Sequence, residues 1–355
     1  MLKYIGSKRL LVDQIVTVAG ALPGVETALD LFSGTSRVGH ALKKAGFTVT
    51  ANDHLAYAHQ LGVTYVQADA RKWQGEVERR IAEMQALPPE PGYVTRTFCE
   101  RSRFFHPRNG ARIDAMRRYL RESSLEPELK AILTVAMMEA ADRVDSTTGV
   151  QMAYLKSWAP RAHNDIELRV PAMLPGKGLA LHLDAKEAAA RTPVDLAYLD
   201  PPYNQHSYMG NYHVWETLAR GDEPEVYGVA CKRLDCRDYK NPFNSKRRAR
   251  LAFEEVLESL RAKHILVSFN NEGFFDRATM ETMLAPHGHL QVVENDFKRY
   301  VGAQIGIYNP QGVKVGKVSH LRNKEYLYLV GDEPAPLGAA AAAIREPAQV
   351  KFAAA

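Results

Sequence analysis

The sequence predicts an α/β protein with a doubly wound mixed sheet, interrupted between its second and third strands by a mostly helical insertion. Three observations carry this. Short apolar runs bounded by turn residues recur at 28–32, 47–51, 179–183, 194–199 and 264–269, the pattern of strands buried on both faces. The first run leads through a glycine-containing turn into a helix, and an acid, Asp53, closes the second run about twenty residues after that turn. From about residue 71 to 178 the runs give way to helical spacing with Pro-, Gly- and Arg-rich loops. Residues 1–70 and 179–333 therefore form one discontinuous domain around the sheet and 71–178 an inserted helical domain, while the Ala-rich 334–355 reads as a disordered tail.

With 355 residues, 46% of them hydrophobic, the chain can bury a sizeable core. Three cysteines, Cys99, Cys231 and Cys236, are too few for a disulfide framework, and the last two lack the partner ligands of a zinc site, so no metal is expected. Neither a signal peptide nor a membrane span is recognisable, which points to the cytoplasm. The net charge of +5 permits a polyanionic partner without requiring one.

Taken in order, Lys3 to Arg9 is a basic loop feeding a periodic apolar segment with Leu10, Leu11, Ile15 and Val16, read as a helix capped by Ser7. Lys8, beside backbone N–H groups, suits an anion, with a solvated basic terminus as the alternative. The turn after the first strand runs Ser33-Gly34-Thr35-Ser36-Arg37-Val38-Gly39, and its helix ends at Gly46. In such a unit the turn approaches a ligand and the acid after the second strand accepts from ribose hydroxyls. The glycines depart from a dinucleotide fingerprint, so a ligand without phosphates fits better. S-adenosylmethionine offers a ribose for Asp53, an amino-acid end for the turn and a carboxylate within reach of Lys8.

In the insertion, helices are expected over 73–87, 108–120 and 126–142. Arg101, Arg103, Arg108 and Arg112 are interleaved there with Phe98, Phe104, Phe105 and His106, equipment for phosphate contact and base stacking; a solvated helix face is the alternative. After the third strand, Asp184 either accepts from an adenine amino group or caps the helix that follows. The long basic segment between strands near 291–294 and 325–330, with Lys298, Arg299, Lys314 and Lys317, reads as an arm that touches DNA.

Asp200-Pro201-Pro202-Tyr203 ends the 194–199 strand. The two prolines fix φ and remove two donors, which holds the carbonyls of Asp200 and Pro201 without local partners. The Asp200 carboxylate and a neighbouring carbonyl can each accept one hydrogen of an amino group, and Tyr203 offers a ring face for a planar base. An ordinary Pro-Pro turn is the alternative for the tetrapeptide by itself.

Together, Lys3-Tyr4-Ile5-Gly6-Ser7-Lys8, Asp30-Leu31-Phe32-Ser33-Gly34-Thr35, Asn52-Asp53, Asp184 and Asp200-Pro201-Pro202-Tyr203 resemble the Dam-like, α-group DNA adenine methylases, in that family's motif order and over about residues 1–333. The stretch from Asp200 through Leu218 is similar to the branch associated with FokI. The resemblance implies a Rossmann-like S-adenosylmethionine-dependent methyltransferase fold with the insertion as target-recognition domain. It implies that Tyr4, Lys8, Asp30, Phe32, Gly34, Asp53 and Asp184 hold S-adenosylmethionine, and that Asp200, Pro201, Pro202 and Tyr203 hold a target base flipped out of double-stranded DNA. Ser36 and Arg37 depart from the family, which usually has Gly and a small residue there. The 4-amino group of cytosine presents the same local geometry as the 6-amino group of adenine, so N4-cytosine methylation stands as the alternative, with a non-catalytic DNA-binding module more distant. Any restriction endonuclease partner is expected on a separate chain, and the enzyme as a monomer or dimer.

Overall fold

The computed structural model describes residues 1–298, 307–308, 314–316 and 322–345. Its centre is a seven-stranded sheet. In chain order the strands are β1 (Thr27–Asp30), β2 (Thr48–Asn52), β3 (Leu179–Leu181), β4 (Val194–Leu199), β5 (Ala262–Asn270), β6 (His289–Lys298) and β7 (Arg322–Gly331). Across the sheet they lie in the order β3-β2-β1-β4-β5-β7-β6. The pairings from β3 to β5 are parallel, and β7 runs antiparallel to both of its neighbours. The five apolar runs of the sequence all lie on these strands.

Successive residues of β4 explain why that run is apolar beyond Asp195, whose carboxylate accepts from Glu26 and Thr27 N–H. Leu196 and Tyr198 pack on one face with α1 (Val12–Ala21) and α2 (Arg37–Lys44), whereas Ala197 and Leu199 pack on the other. That second face is covered by α7 (Ala185–Arg191), α10 (Ala249–Ser259) and α11 (Arg277–Leu284). Side chains alternate along a strand, so a strand sandwiched by helices has no polar side.

Between β2 and β3 the chain forms α3 (Ala56–Gly62), α4 (Ala70–Ala86), α5 (Pro107–Glu122) and α6 (Pro127–Arg143). These helices have no core of their own. Trp73, Ile113, Met116 and Met137 share one apolar cluster with Tyr57 of α3 and with Met209, Trp215 and Leu218. The last three lie on the short helices that follow Tyr203, α8 (Tyr208–Asn211) and α9 (His213–Arg220). The helical layer is thus welded to the sheet domain from both sides of the insertion.

Two expectations are corrected. Ser7 does not cap the first helix: α1 begins at Val12, Leu11 is its N-cap without a side-chain bond, and the Ser7 hydroxyl instead accepts from Arg37 Nε at 2.9 Å. Nor is the tail irregular from residue 334. Pro334–Arg345 forms a helix, α12, with Leu337, Ala340 and Ala341 buried against the α1 face of the sheet. Alanine is the strongest helix former, and the spacing of those three residues makes one apolar stripe. Residues 346–355 lie outside the described residues, as does most of the basic segment before β7. Arg299 and Lys317 fall there, and for Lys298 and Lys314 only strand backbone is described. No helix among the described residues is long and apolar enough to cross a membrane.

Candidate active site

A cavity opens where the parallel strands end, the usual ligand position in a sheet wound this way. Tyr4, Lys8, Asp30, Phe32, Gly34, Asp53, Asp200 and Pro202 all line it. Asp184 does not: it is exposed, and its carboxylate accepts from Lys186 N–H at 2.9 Å as the N-cap of α7.

The turn after β1 is fastened by Asp53. One carboxylate oxygen accepts from Gly34 N–H and the other from Leu55 N–H, both at 3.0 Å. Gly34 has φ +49°, and a Cβ there would stand 3.4 Å from the Tyr4 ring, so backbone conformation and space both favour glycine. Two residues on, Ser36 takes the same left-handed conformation with φ 56° and its hydroxyl is buried without a partner. Ser36 is therefore a non-glycine residue in a conformation that favours glycine. Asp30 is buried and accepts from Gly39 N–H at 2.9 Å. Burial pushes its pKa up to about 7, against the pull of that bond, with Asp200 and Asp53 adding to the rise.

Lys8 is buried at the centre of the site. Its Nζ lies 3.1 Å from Asp200 Oδ1 and 2.6 Å from Glu325 Oε1. Burial disfavours its charge, but the two carboxylates outweigh that and hold its pKa well above the ordinary value. Asp200 is pushed up to about 6, first by burial; Lys8 opposes the rise and Glu325 adds to it. Among the described residues Oδ1 has Lys8 Nζ as an ion-pair partner but no donor aligned with it for a hydrogen bond, and Ser268 faces the same carboxylate. Asp200 thus keeps an acceptor for a further donor. Tyr203 is set edge-on to Phe269, ring centroids 5.7 Å apart, and its carbonyl accepts from Phe274 N–H at 2.9 Å. A Cβ at Gly273 would collide with the Phe269 ring.

Around this group stands an aromatic wall. Tyr4 stacks on Tyr208 and Tyr212, centroids 5.2 and 4.6 Å apart, and its hydroxyl meets that of Tyr57 at 3.1 Å. The N-terminal loop is held to this wall by Ile5 N–H on the Tyr212 hydroxyl, to α6 by Lys3 N–H on Asp142 at 3.1 Å, and to the segment just after α6 by Lys3 Nζ on Asp145, 2.9 Å away.

Several lining or supporting residues escaped sequence reading. Glu325 reaches Lys8 because β7 is antiparallel, which brings its early residues to the edge where the parallel strands end; only the register Glu325↔Asn270 reveals this. Tyr239 and Asn241 line the cavity from a segment well beyond Tyr203, and Phe243 meets Phe32 edge to face at 5.1 Å. An Asn-Pro-Phe turn was the available signal.

The arginines of the insertion are distributed unevenly. Arg101 is exposed. Arg103 lies over the Trp158 ring, 4.7 Å from its centroid, and Arg108 bonds the His163 carbonyl and pairs with Asp165 at 3.2 Å. Arg112 turns inward to the Gln85 carbonyl at 2.5 Å, tying α5 to the end of α4.

Over 84% of its length the chain is 26% identical to the modification methylase StsI of Streptococcus sanguinis, covering 49% of that protein. Over 81% it is 31% identical to the type II methyltransferase M.FokI of Planomicrobium okeanokoites, covering 47%. Over 92% it is 27% identical to the type II methyltransferase M.NlaIII of Neisseria lactamica, covering 100%. The chain thus spans about half the length of StsI and M.FokI and the whole of M.NlaIII. A family model matches residues 4–283, from the Tyr4 wall through the Lys8, Asp53 and Asp200 cluster to α11, and the chain belongs to the D12 class of N6 adenine-specific DNA methyltransferases.

Proposed function

We propose that this protein is a site-specific DNA methyltransferase of the cytoplasm that moves a methyl group from S-adenosylmethionine to the 6-amino group of a flipped-out adenine. The observation that carries the reading is Asp200, a buried carboxylate at the end of β4 held beside Lys8, in a cavity that also takes in Asp30, Asp53 and the Gly34 turn. The fit to the cofactor rests on the same cavity. Ser33 Oγ is buried in its lining without a partner, and the Asp30 and Asp53 carboxylates suit a ligand with a sulfonium and an ammonium group. When bound, S-adenosylmethionine supplies an electrophilic methyl group.

The remaining chemistry belongs to the chain. An amino nitrogen conjugated with its ring is a poor nucleophile. Acceptance of its two hydrogens by Asp200 and by the Pro201 carbonyl pyramidalises it and turns its lone pair outward. The Asp200 charge also stabilises the positive charge that develops on that nitrogen. Tyr203, braced by Phe269, stacks on the base, and the stacking offsets part of the few kcal/mol that flipping costs. Arg101, Arg103 and Arg108, together with the 298–317 arm, supply phosphate contacts, and the helical insertion 71–178 reads the target sequence.

Base-modification sequencing of DNA from cells that express the protein tests this. The expected result is N6-methyladenine in one sequence context, lost with Asp200→Ala while that variant still binds S-adenosylmethionine. N4-methylcytosine, or no modified base, would overturn it.

A further inference from the structure

Given the cofactor reading above, on which this inference rests, we infer that Arg37 is the anchor for the carboxylate of S-adenosylmethionine in this chain, in place of Lys8. S-adenosylmethionine carries two positive centres and one carboxylate at its amino-acid end. Asp30 and Asp53 line the cavity and suit the positive centres; the carboxylate needs a cation. Lys8 and Arg37 are the Lys and Arg side chains of the lining. Lys8 is committed: it is buried, with Asp200 at 3.1 Å and Glu325 at 2.6 Å. Giving its ammonium to a third carboxylate would leave two partly buried acids uncompensated.

Arg37 is the opposite case. It is half-buried, and among the described residues it makes no ion pair; burial lowers its pKa, the like charge of Arg9 adds to this and Tyr65 opposes it. Its Nε donates to Ser7 Oγ at 2.9 Å, which orients the guanidinium plane and leaves the terminal nitrogens for another acceptor. A guanidinium held in this way matches a carboxylate, which it can bind through two parallel N–H groups. Its place fits as well. Arg37 opens α2 directly after the turn at Gly34 and Ser36, where the amino-acid end of the cofactor is expected. The departure from the family's small residue thus acquires a role, as does Ser7, which sets the plane of the guanidinium.

Calorimetric titration of the full chain, without DNA and without turnover, tests the assignment with two ligands: S-adenosylmethionine and its decarboxylated analogue. The native protein should prefer the carboxylate-bearing ligand by about 10- to 100-fold. Arg37→Gln should bind both within about threefold of each other, and Arg37→Lys should recover part of the preference. The comparison of ligands on native protein needs no variant to fold. Native protein that binds the two ligands alike overturns the inference, as does an Arg37→Gln variant that keeps the full preference or loses DNA affinity in its place. If native protein binds neither ligand, the cofactor reading fails first.

Discussion

With Asp200 and Glu325 both within ion-pair distance, Lys8 leaves three charged groups that sum to −1 when all are ionised, +1 for the ammonium and −1 for each carboxylate. Asp200 is also faced by Tyr198 of β4, Ser268 of β5, Asp30 of β1, Tyr208 of α8 and Tyr203. Glu325 is the member that raises the pKa of Asp200 while sharing Lys8. In Glu325→Gln, Lys8 belongs to Asp200 alone. The acid limb of kcat should then move to lower pH, and kcat at neutral pH should fall by about tenfold as the carboxylate becomes a weaker acceptor. Loss of activity with an unmoved limb would mean that Glu325 only supports the fold. Asp30 has a different signature. Its pKa is raised from 3.8 to about 7, so the folded state holds the proton more tightly than the unfolded state does. The stabilisation from that proton is complete below the unfolded value and is lost as pH rises through about 7. Asp30→Asn keeps an acceptor for Gly39 N–H and removes the titration. Its Tm relative to native protein should rise between about pH 5 and about pH 8, and a constant difference would contradict the burial account.

At the scale of elements, α12 depends on one side chain. Leu337 is fully buried among α1 and the sheet, and Leu337→Ala should cost about 2–3 kcal/mol in chemical denaturation; a cost below about 0.5 kcal/mol would show that the helix is not docked in solution. This helix also shows where sequence reading fails. Its alanines look like low complexity, and the burying stripe of Leu337, Ala340 and Ala341 becomes meaningful only once α1 offers a surface for it. The strands were legible because burial on both faces leaves a nearly continuous apolar run, as in 196–199. The Ser7 cap was misread because a hydroxyl before an apolar segment is ambiguous until its partner is known, and that partner, Arg37, is thirty residues away. Tyr4, Lys8, Asp30, Gly34, Asp53 and Asp200 could be named from their motifs, which are local. Glu325 and Phe243 could not, since strand register and loop path bring them in.

At the scale of the molecule, the shared core of the helical layer has a mechanical meaning. Tyr57, Met209 and Trp215 pack with Ile113 and Met137, so the helical layer that carries Arg108 on α5 shares its core with the helices that follow Tyr203. If the proposed phosphate contacts are made there, they are held at a fixed offset from Asp200. DNA affinity should fall steeply with salt, with a slope of log K against log salt of about −3 or steeper, and Arg101→Ala should reduce the slope by about 1. A flat response would remove the insertion from the DNA interface.

The 2.6 Å contact between Lys8 and Glu325 joins residues 317 positions apart. Contacts of such separation form late in folding, because closing the intervening loop costs entropy that only the assembled sheet can offset. During synthesis the cofactor turn, the Asp200 clamp and the aromatic wall can all emerge and pack before β7 exists. Until β7 arrives, Lys8 has only Asp200 to pair with and the clamp is neutralised. The last strand made thus completes the charge balance around Asp200, and it also supplies the partner of β6, which among the described residues has no other neighbour in the sheet.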